Sequence, residues 1–397
     1  MTEPHCCQTG TVVSEHEVIV SIGDTTFIDY DKIVAKREGY GPIGKGGNGL
    51  VLHSALAVNA ENGQPIGLLW QKLWHRAALI PAPSNETETQ KKQRKTEARK
   101  QARQRPFEEK ESYRWVEAIE TVNQRLKGSP KVIHVFDREG DIAEVFEKVR
   151  DLEPTGVVVR ATHDRSLDAQ SDRLWTKLEA QPIAFYRELE LPATPKRSAR
   201  TARIGVRFCA VNLRTPHRFE DKAPLQVYAV YAHEVDAPEG VPPLSWMLLT
   251  TEVVQSIEDA ARILRWYTYR WRVQEYHKLL KSGAQVERYR LAAEGMEPLL
   301  GFLSVIAVEL FQLTYLHRTD PELPIERVLN STQVAVLKAK SKKVPRTLTL
   351  GWGVEAIARL GGYLEHRRKS PIGIQVLWRG WSKLQDLCEG WSLSAQT

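Results

Sequence analysis

Two short β-branched runs, each followed closely by an acidic residue, constrain the fold of this chain more than any other feature. One run, EVIVSI, ends at Ile22 just before Gly23-Asp24, and the other, KVIHVF, ends at Phe136 just before Asp137. Such runs predict buried strands, and the segment IAEVFEKVRDL after Asp137 predicts a helix. In α/β sheets, strand ends of this kind meet at one edge, where the chemistry is usually placed. We therefore expect an α/β fold with Asp24 and Asp137 at neighbouring strand ends.

The stretch Trp266 to Glu287, WYTYRWRVQEYHKLLKSGAQVE, carries polar residues at helical spacing. At about 100° per residue, five of them would share one narrow stripe of a single helix. They are Tyr267, Arg270, Gln274, Lys278 and Lys281. A stripe of donors and positive charge suits phosphate better than it suits a packed core. The alternative interpretation is a solvated basic helix face.

This stretch resembles the signature helix of the insertion-sequence-four family of bacterial DDE transposases. Tyr267, Arg270 and Lys281 match the signature, with His-Lys inside it and Lys-Ser-Gly at its end. The resemblance extends over roughly residues 18–391. It implies an RNase H-like mixed sheet with helices, a β-rich insertion subdomain and a C-terminal helical region.

The same resemblance implies a catalytic metal site. Asp24 stands in a D-T-T context and Asp137 in D-R-E-G-D, as the first two catalytic aspartates of the family do, and together they would hold Mg²⁺ or, alternatively, Mn²⁺. The third acid of the family is replaced here by Gln274, whose neutral amide is a poor ligand for a hard cation. Glu275 is adjacent, but its direction on a helix differs by about 100°. Gln274 and Glu275 are therefore both candidates for the position of the third acid.

DNA contacts are the other implication of the resemblance. The residues it assigns to them are Trp246, Tyr267, Arg270, His277, Lys278 and Lys281. Trp246 would stack on a base flipped out of the DNA end, and packing in the core is its alternative role. His277 would touch the site or a phosphate, with a packed, neutral histidine as the alternative.

The domain organisation follows the pattern of strands and helices. Residues 1–155 are expected to form the first part of the catalytic core, 156–251 an antiparallel β-rich insertion, and 252–317 the last part of the core. Met296 to Tyr315 reads as an apolar core helix. Residues 318–350 read as an irregular linker, and the rest of 318–397 as helices that the resemblance assigns to dimerisation.

Charge and composition favour an anionic partner in a reducing compartment. Lys and Arg total 56 against 49 Asp and Glu, for a net charge of +7. Residues 84–130 are rich in helix formers. Within them, Lys91 to Arg105 carries eight basic residues and one acid, which indicates either a solvated or mobile segment or one that follows a phosphate backbone. The four cysteines show no metal-ligand or disulfide spacing. No apolar run approaches the roughly eighteen residues of a membrane span.

Together these features predict a transposase that cuts double-stranded DNA at element ends and transfers it, as a homodimer in the bacterial cytoplasm, associated with the nucleoid and not with a membrane. Because only 23 residues precede Asp24, we expect most of the family's N-terminal DNA-binding domain to be missing. The alternative is a catalytically impaired relic that binds DNA or pairs with an intact transposase and inhibits it. A general nuclease with this fold is a third option.

Overall fold

The computed structural model describes residues 2–30, 39–44, 47–77, 85–167, 172–193, 198–219, 221–364 and 372–394. Its strands are β1 (Val18–Asp29), β2 (Gly41–Gly44), β3 (Gly47–Asn59), β4 (Pro65–Trp74), β5 (Lys131–Phe136), β6 (Gly156–Arg160), β7 (Phe185–Leu191), β8 (Arg200–Leu213), β9 (Leu225–Glu234) and β10 (Ser245–Thr250). Its α-helices are α1 (Glu3–Val13), α2 (Glu88–Gln104), α3 (Tyr113–Leu126), α4 (Ala143–Arg150), α5 (Leu174–Glu179), α6 (Ile257–Thr268), α7 (Trp271–Lys278), α8 (Ala293–Thr319), α9 (Ser331–Lys340), α10 (Leu350–Leu360) and α11 (Ile374–Ser394).

The chain divides into two compact units. The first, here called the carboxylate unit, comprises Gly10–Asp24 and Leu79–Trp271. The second, the helical unit, comprises Met1–Thr9, Thr25–Ala78 and Arg272–Thr397. These units divide the chain at different points from the ranges expected above, because residues 156–251 belong to the same unit as residues 79–155.

The sheet of the carboxylate unit is mixed. The first part of β1 pairs with β5, and β5 with β6, both in parallel. Strands β10, β9, β8 and β7 then continue from β6 with antiparallel pairing throughout. The predicted fold class, α/β with a large mixed sheet and helices, is confirmed. The expectation that residues 156–160 open an antiparallel insertion is wrong: β6 is the third parallel strand, and its run of three consecutive buried valines suits a strand covered on both faces.

In the helical unit, β3 pairs antiparallel with β2 and with β4. Helix α8 packs along β4 and is tied to that hairpin by side-chain hydrogen bonds. Gln312 donates to the Ile66 carbonyl (2.7 Å), and Tyr315 donates to the Asn62 carbonyl (2.8 Å). Met296 to Tyr315 is therefore helical and largely buried, as predicted.

Helix α8 is also long and apolar enough to cross a membrane, with a mean hydropathy of 1.8 over its most apolar window. The expectation that no segment of the chain reaches this length was wrong. Glu309 interrupts the run of apolar residues, but the mean hydropathy of the helix remains high. Slightly more than half of the window, 56%, is buried inside the protein, which is consistent with a core helix of a soluble protein.

The segment 318–350 is not the irregular linker expected from its sequence. Helix α8 continues to Thr319, and α9 occupies ten residues of the segment. A capping box starts α9: the Asn330 side chain accepts from the Gln333 backbone, and the Gln333 side chain accepts from the Asn330 backbone. Val334 and Leu337 are buried on its inner side. The basic residues around α9 hid this helical pattern.

Helix α2 contains most of the basic run and has no buried residue. It begins with a capping box between Thr87 and Gln90. The expected helix is therefore present, with its charges in solvent. Helices α10 and α11 also lie where helical segments were expected, with Trp378 and Trp381 buried and Trp391 exposed.

The close contact between Gly23 and Phe136 predicts that a larger residue at position 23 destabilises the protein. A Cβ on Gly23 would lie 2.6 Å from the Phe136 ring, which itself packs on Trp115 with ring centroids 4.8 Å apart. We expect Gly23→Ala to destabilise the protein by about 1 to 3 kcal/mol, as overpacking does in a dense core. Urea unfolding at constant pH measures the change.

Gly10→Ala is the matched control in the same unit. Its added Cβ would be 3.5 Å from the Arg125 side chain, an ordinary contact, and it would sit in helix α1. Alanine is favoured over glycine in a helix by about 1 kcal/mol, so this variant should be neutral or more stable. Equal losses in both variants would show that the Phe136 contact is not what makes Gly23 necessary.

Candidate active site

The register of the parallel strands places Asp24 and Asp137 side by side. β1 and β5 pair from Val18 with Lys131 up to Ile22 with Val135. Two further steps in the same register bring Asp24 opposite Asp137, on strands that lie about 4.8 Å apart. The charge of Asp24 acts on Asp137 and raises its pKa. The predicted proximity of the two aspartates is thus what the structure shows.

Arg160 continues this row onto the third parallel strand. β5 and β6 pair up to Phe136 with Val159, so the next step brings Asp137 opposite Arg160. The sequence reasoning missed Arg160, although a signal was present: it directly follows a run of three valines, as Asp137 directly follows the run KVIHVF. Asp24, Asp137 and Arg160 therefore cross three neighbouring strands in one line.

Each aspartate has a different local setting. Asp137 directly follows β5, and its carboxylate accepts a hydrogen bond from the Glu139 backbone (2.9 Å) at the start of a short 3-10 turn. Asp24 was expected at the end of a strand, and that expectation is wrong, because β1 continues to Asp29. The residues after Asp24, Thr-Thr-Phe-Ile, have high strand propensity and keep the backbone extended.

Burial makes this pair of carboxylates energetically unfavourable when both are charged. The Asp24 residue is only 8% exposed. For Asp137, burial is the largest influence and raises the pKa, the Glu139 backbone hydrogen bond lowers it, and the charge of Asp24 raises it again. The cations Arg270 and Arg114 lower it without outweighing the other influences. No ion-pair partner within 4.0 Å of Asp137 occurs among the described residues.

Arg270 brings a buried positive charge to the two aspartates. The residue is 7% exposed, and its guanidinium lies 4.6 Å from the centre of the Trp271 ring. Its Nε is buried and has no hydrogen-bond partner in the part of the chain that the structure describes. A buried donor without an acceptor is costly. Arg270 is thus held close to the carboxylates with hydrogen-bonding capacity still unused.

Arg114 is a second cation that the sequence reasoning did not identify. It lies at the start of α3, donates to Glu139 (2.5 Å) and covers the Trp115 ring at 5.2 Å. Glu139 thus binds a neighbouring helix through Arg114. Nothing in the local sequence pattern of Arg114 indicated this, because its partner is 25 residues away.

Asp141 binds residues that follow the neighbouring strand β6. Its carboxylate is buried and accepts from Arg165 (2.6 Å) and from the Thr162 backbone (2.7 Å). A carboxylate satisfied in this way fixes the chain after β6 and serves structure.

Tyr267 belongs to the same cluster as the aspartates. The residue is 8% exposed. Burial raises the pKa of its hydroxyl, whereas the charges of Arg270 and Arg160 and a hydrogen bond with Arg160 lower it. The charge of Asp137 acts on it as well and raises it. Tyr267, Arg270, Arg160 and the aspartates thus form one cluster within the carboxylate unit.

Trp246 is connected to this cluster through its neighbour. Arg160 donates to the carbonyl of Ser245 (2.9 Å), the residue before Trp246. Trp246 lies within β10, opposite Ala232 of β9, and is partly exposed. A partly exposed indole is compatible with stacking, so its predicted role stays a prediction.

The residues of the predicted stripe do not lie on one regular helix. Helix α6 ends at Thr268, where Tyr269 and Arg270 donate backbone hydrogen bonds three residues back instead of four. Helix α7 ends at Lys278 and is followed by a π-helical turn, Leu279–Gly283. Each irregularity changes the angular step, so a calculation at 100° per residue does not hold across them.

The other predicted residues of that stretch belong to the helical unit, and three of them have local partners there. Glu275 pairs with Arg272 and with Arg318, both at 3.2 Å. Lys281 donates to the Phe27 carbonyl (2.8 Å) and pairs with Glu287 (2.9 Å).

His277 is buried, with its Nε2 3.2 Å from the Ser54 hydroxyl. Gln274 is partly buried and Lys278 is exposed beside a cleft that Glu275 also lines. The contacts of Glu275, Lys281 and His277 are those of residues that stabilise the helix, so their proposed site roles stay predictions.

The two aspartates fit a divalent cation as oxygen donors. The charge of Asp24 raises the pKa of Asp137, and a hard cation that prefers oxygen ligands would offset this repulsion. Within the described residues, no group of three or more His, Cys, Asp or Glu side chains has the arrangement of a metal site. The Mg²⁺ site stays a prediction, with Asp24 and Asp137 as its candidate carboxylates.

A search against models of known protein families finds no match for this chain. The resemblance of the signature stretch therefore stays a prediction. What the structure adds is the local arrangement of Asp24, Asp137, Arg160, Tyr267 and Arg270.

The raised pKa of Asp137 predicts how metal-free protein responds to pH. The folded state holds this proton more tightly than the unfolded chain, whose aspartate has the ordinary pKa of 3.8. The contribution of Asp137 to stability therefore falls as pH rises from about 3.8 through the raised pKa, and stays low above it. In Asp137→Asn this titration is absent. The melting temperature of the variant relative to wild type should thus increase with pH.

Thermal unfolding in EDTA from about pH 4 to about pH 8 measures this difference, with each kcal/mol expected to shift the melting temperature by about 2 to 4 °C. Asp236→Asn is the control, because Asp236 is an exposed acid of the same unit, 3.7 Å from Arg203. If Asp137→Asn instead loses stability relative to wild type as pH rises, the pKa of Asp137 is not raised in the folded protein.

Proposed function

We propose that this protein is a metal-dependent DNA phosphodiester-transfer enzyme, a transposase of the insertion-sequence-four type. The observation that carries the proposal is the row of Asp24, Asp137 and Arg160 across three parallel strands, with Arg270 beside it. Paired carboxylates next to cations are suited to bind a metal-neutralised phosphate. The substrate would be double-stranded DNA, cut at an element end and joined elsewhere.

In the proposed reaction, water attacks a phosphodiester at the element end, and the freed 3′ hydroxyl then attacks the opposite strand and later the target. Asp24 and Asp137 would hold the metal, Mg²⁺ or Mn²⁺. When bound, such ions stabilise charge on the attacking and leaving oxygens.

The cationic and phenolic residues would hold the substrate. Arg270 has an unused, buried Nε donor, and a phosphate oxygen is a suitable acceptor for it. Arg160 is oriented by its hydrogen bond to the Ser245 carbonyl (2.9 Å), and its charge acts on the hydroxyl of the neighbouring Tyr267. Fixed donors of this kind position a phosphate for in-line attack without further reorganisation.

Gln274 limits the activity expected of the chain. The resemblance gives it the position of the third acid, and an amide contributes no negative charge for a cation. Glu275, the alternative third acid, is occupied by Arg272 and Arg318. This favours one alternative function: a catalytically impaired transposase that binds DNA or pairs with an active enzyme and inhibits it.

Cleavage assays on plasmid DNA that carries the sequence flanking this gene separate the two functions. We expect slow Mg²⁺-dependent nicking by wild type and none by Asp137→Asn or Asp24→Asn. Gln274→Glu should increase nicking by orders of magnitude, since a third carboxylate strengthens metal binding. Glu275→Gln should change it little.

If no variant nicks DNA in Mg²⁺ or Mn²⁺ but wild type still binds it, the inhibitor function is the correct one. If Glu275→Gln abolishes nicking and Gln274→Glu has no effect, Glu275 is the third acid. Nicking that persists in Asp137→Asn would reject the proposed site altogether.

DNA binding should also depend on Arg270. Arg270→Ala should reduce the slope of log affinity against log salt by about 0.9, the value for one lost phosphate contact. Arg262→Ala is the matched control, because Arg262 lies on α6 and is already paired with Asp259 (2.7 Å). Fluorescence anisotropy across a salt series gives both slopes. Equal slopes in the two variants would exclude a phosphate contact from Arg270.

A further inference from the structure

A second basic site lies in the helical unit, in a cleft of about 1270 Å³ between the end of α9, the chain that follows it, and α10. It shares no residue with the aspartate cluster. The polar residues that line it are Glu322, Lys340, Ser341, Lys342, Lys343, Thr347, Thr349, Trp352, Glu355 and Arg359. We refer to it as the lysine cleft.

The charge of the lysine cleft is not neutralised within the described chain. The segment 338–346, KAKSKKVPR, has five basic residues and no acid. Lys340, Lys342 and Lys343 are exposed, and none of them forms an ion pair with a described residue. Of the two acids in the lining, Glu355 already pairs with Arg359 (2.9 Å), which leaves Glu322 against three lysines. The cleft therefore has a net positive charge.

Trp352 adds an aromatic side chain to the lining of the cleft. Its indole Nε1 is buried away from solvent, so the lysines are the groups of the cleft that are available to a ligand. An oxygen-rich anion is the partner that their charge favours.

We infer that the lysine cleft binds the phosphate backbone of duplex DNA, as a second contact surface besides the aspartate cluster. The inference rests on the proposed function, which brings DNA to this protein. Three neighbouring ammonium groups along an open cleft suit a row of phosphates, and lysine binds phosphate as a point charge without reading bases. The contact would therefore add affinity independently of DNA sequence.

The test compares two pairs of substitutions that remove the same charge from the same segment. Lys342→Gln with Lys343→Gln alters the cleft, whereas Lys338→Gln with Arg346→Gln alters exposed residues of the segment that do not line it. Both pairs are made in Asp137→Asn and assayed in EDTA, so that no cleavage occurs. The probe is a fluorescent random-sequence duplex, titrated across a salt series.

The cleft pair should reduce the salt slope by about 1.8, or about 0.9 for each lost phosphate contact. The control pair should reduce it by less than half as much. Equal reductions in the two pairs, or an unchanged slope in the cleft pair, would overturn the inference. Competition by ATP would also overturn the inference. If ATP displaces the duplex and binds the cleft at least as tightly as DNA does, the cleft is a site for a small phosphate compound.

This experiment also separates failure of the inference from failure of the proposed function. DNA binding that depends on the cleft, in a protein whose wild-type form never nicks DNA, would support the cleft and reject the enzyme. Metal-dependent nicking by wild type, together with an unchanged salt slope in the cleft pair, would support the enzyme and reject the cleft as a DNA contact.

Discussion

The parallel register of β1, β5 and β6 is the constraint on which the candidate site depends. It is fixed by backbone hydrogen bonds and by close packing, in which Phe136 occupies the space beside Gly23 that a side chain would fill. A shift of one residue would move each side chain to the other face of the sheet. The same register that buries the core therefore determines that Asp24, Asp137 and Arg160 lie in one row.

This arrangement concentrates charges of both signs in a partly buried position. Burial and the charge of Asp24 together raise the pKa of Asp137. Arg270 is nearby, yet it makes no ion pair within 4.0 Å with a described residue. Perturbed groups of this kind are characteristic of functional sites.

The irregular backbone around Arg270 has a consequence for function. The tightened hydrogen bonds at Tyr269 and Arg270 end α6, and the division between the two compact units falls directly after Trp271. Tyr267 and Arg270 thus belong with the aspartates, while Lys281 is held by Glu287 and the Phe27 carbonyl. Residues that sequence spacing places in one stripe consequently have separate structural surroundings.

The sequence alone determined the α/β class, the strands before both aspartates and the helix in the basic run, because these follow from local propensity and hydrophobic period. It also indicated Asp24, Asp137, Tyr267 and Arg270. Tertiary structure decided what local patterns do not contain: the parallel pairing of β6, the end of α6, and the partners of Arg114 and Glu275. The strand pairing and the ion pairs of Arg114 and Glu275 with Glu139 and Arg318 join residues distant in the chain. The end of α6 depends on backbone hydrogen bonds that reach back three residues instead of four. Neither kind of contact leaves a periodic signal in the sequence.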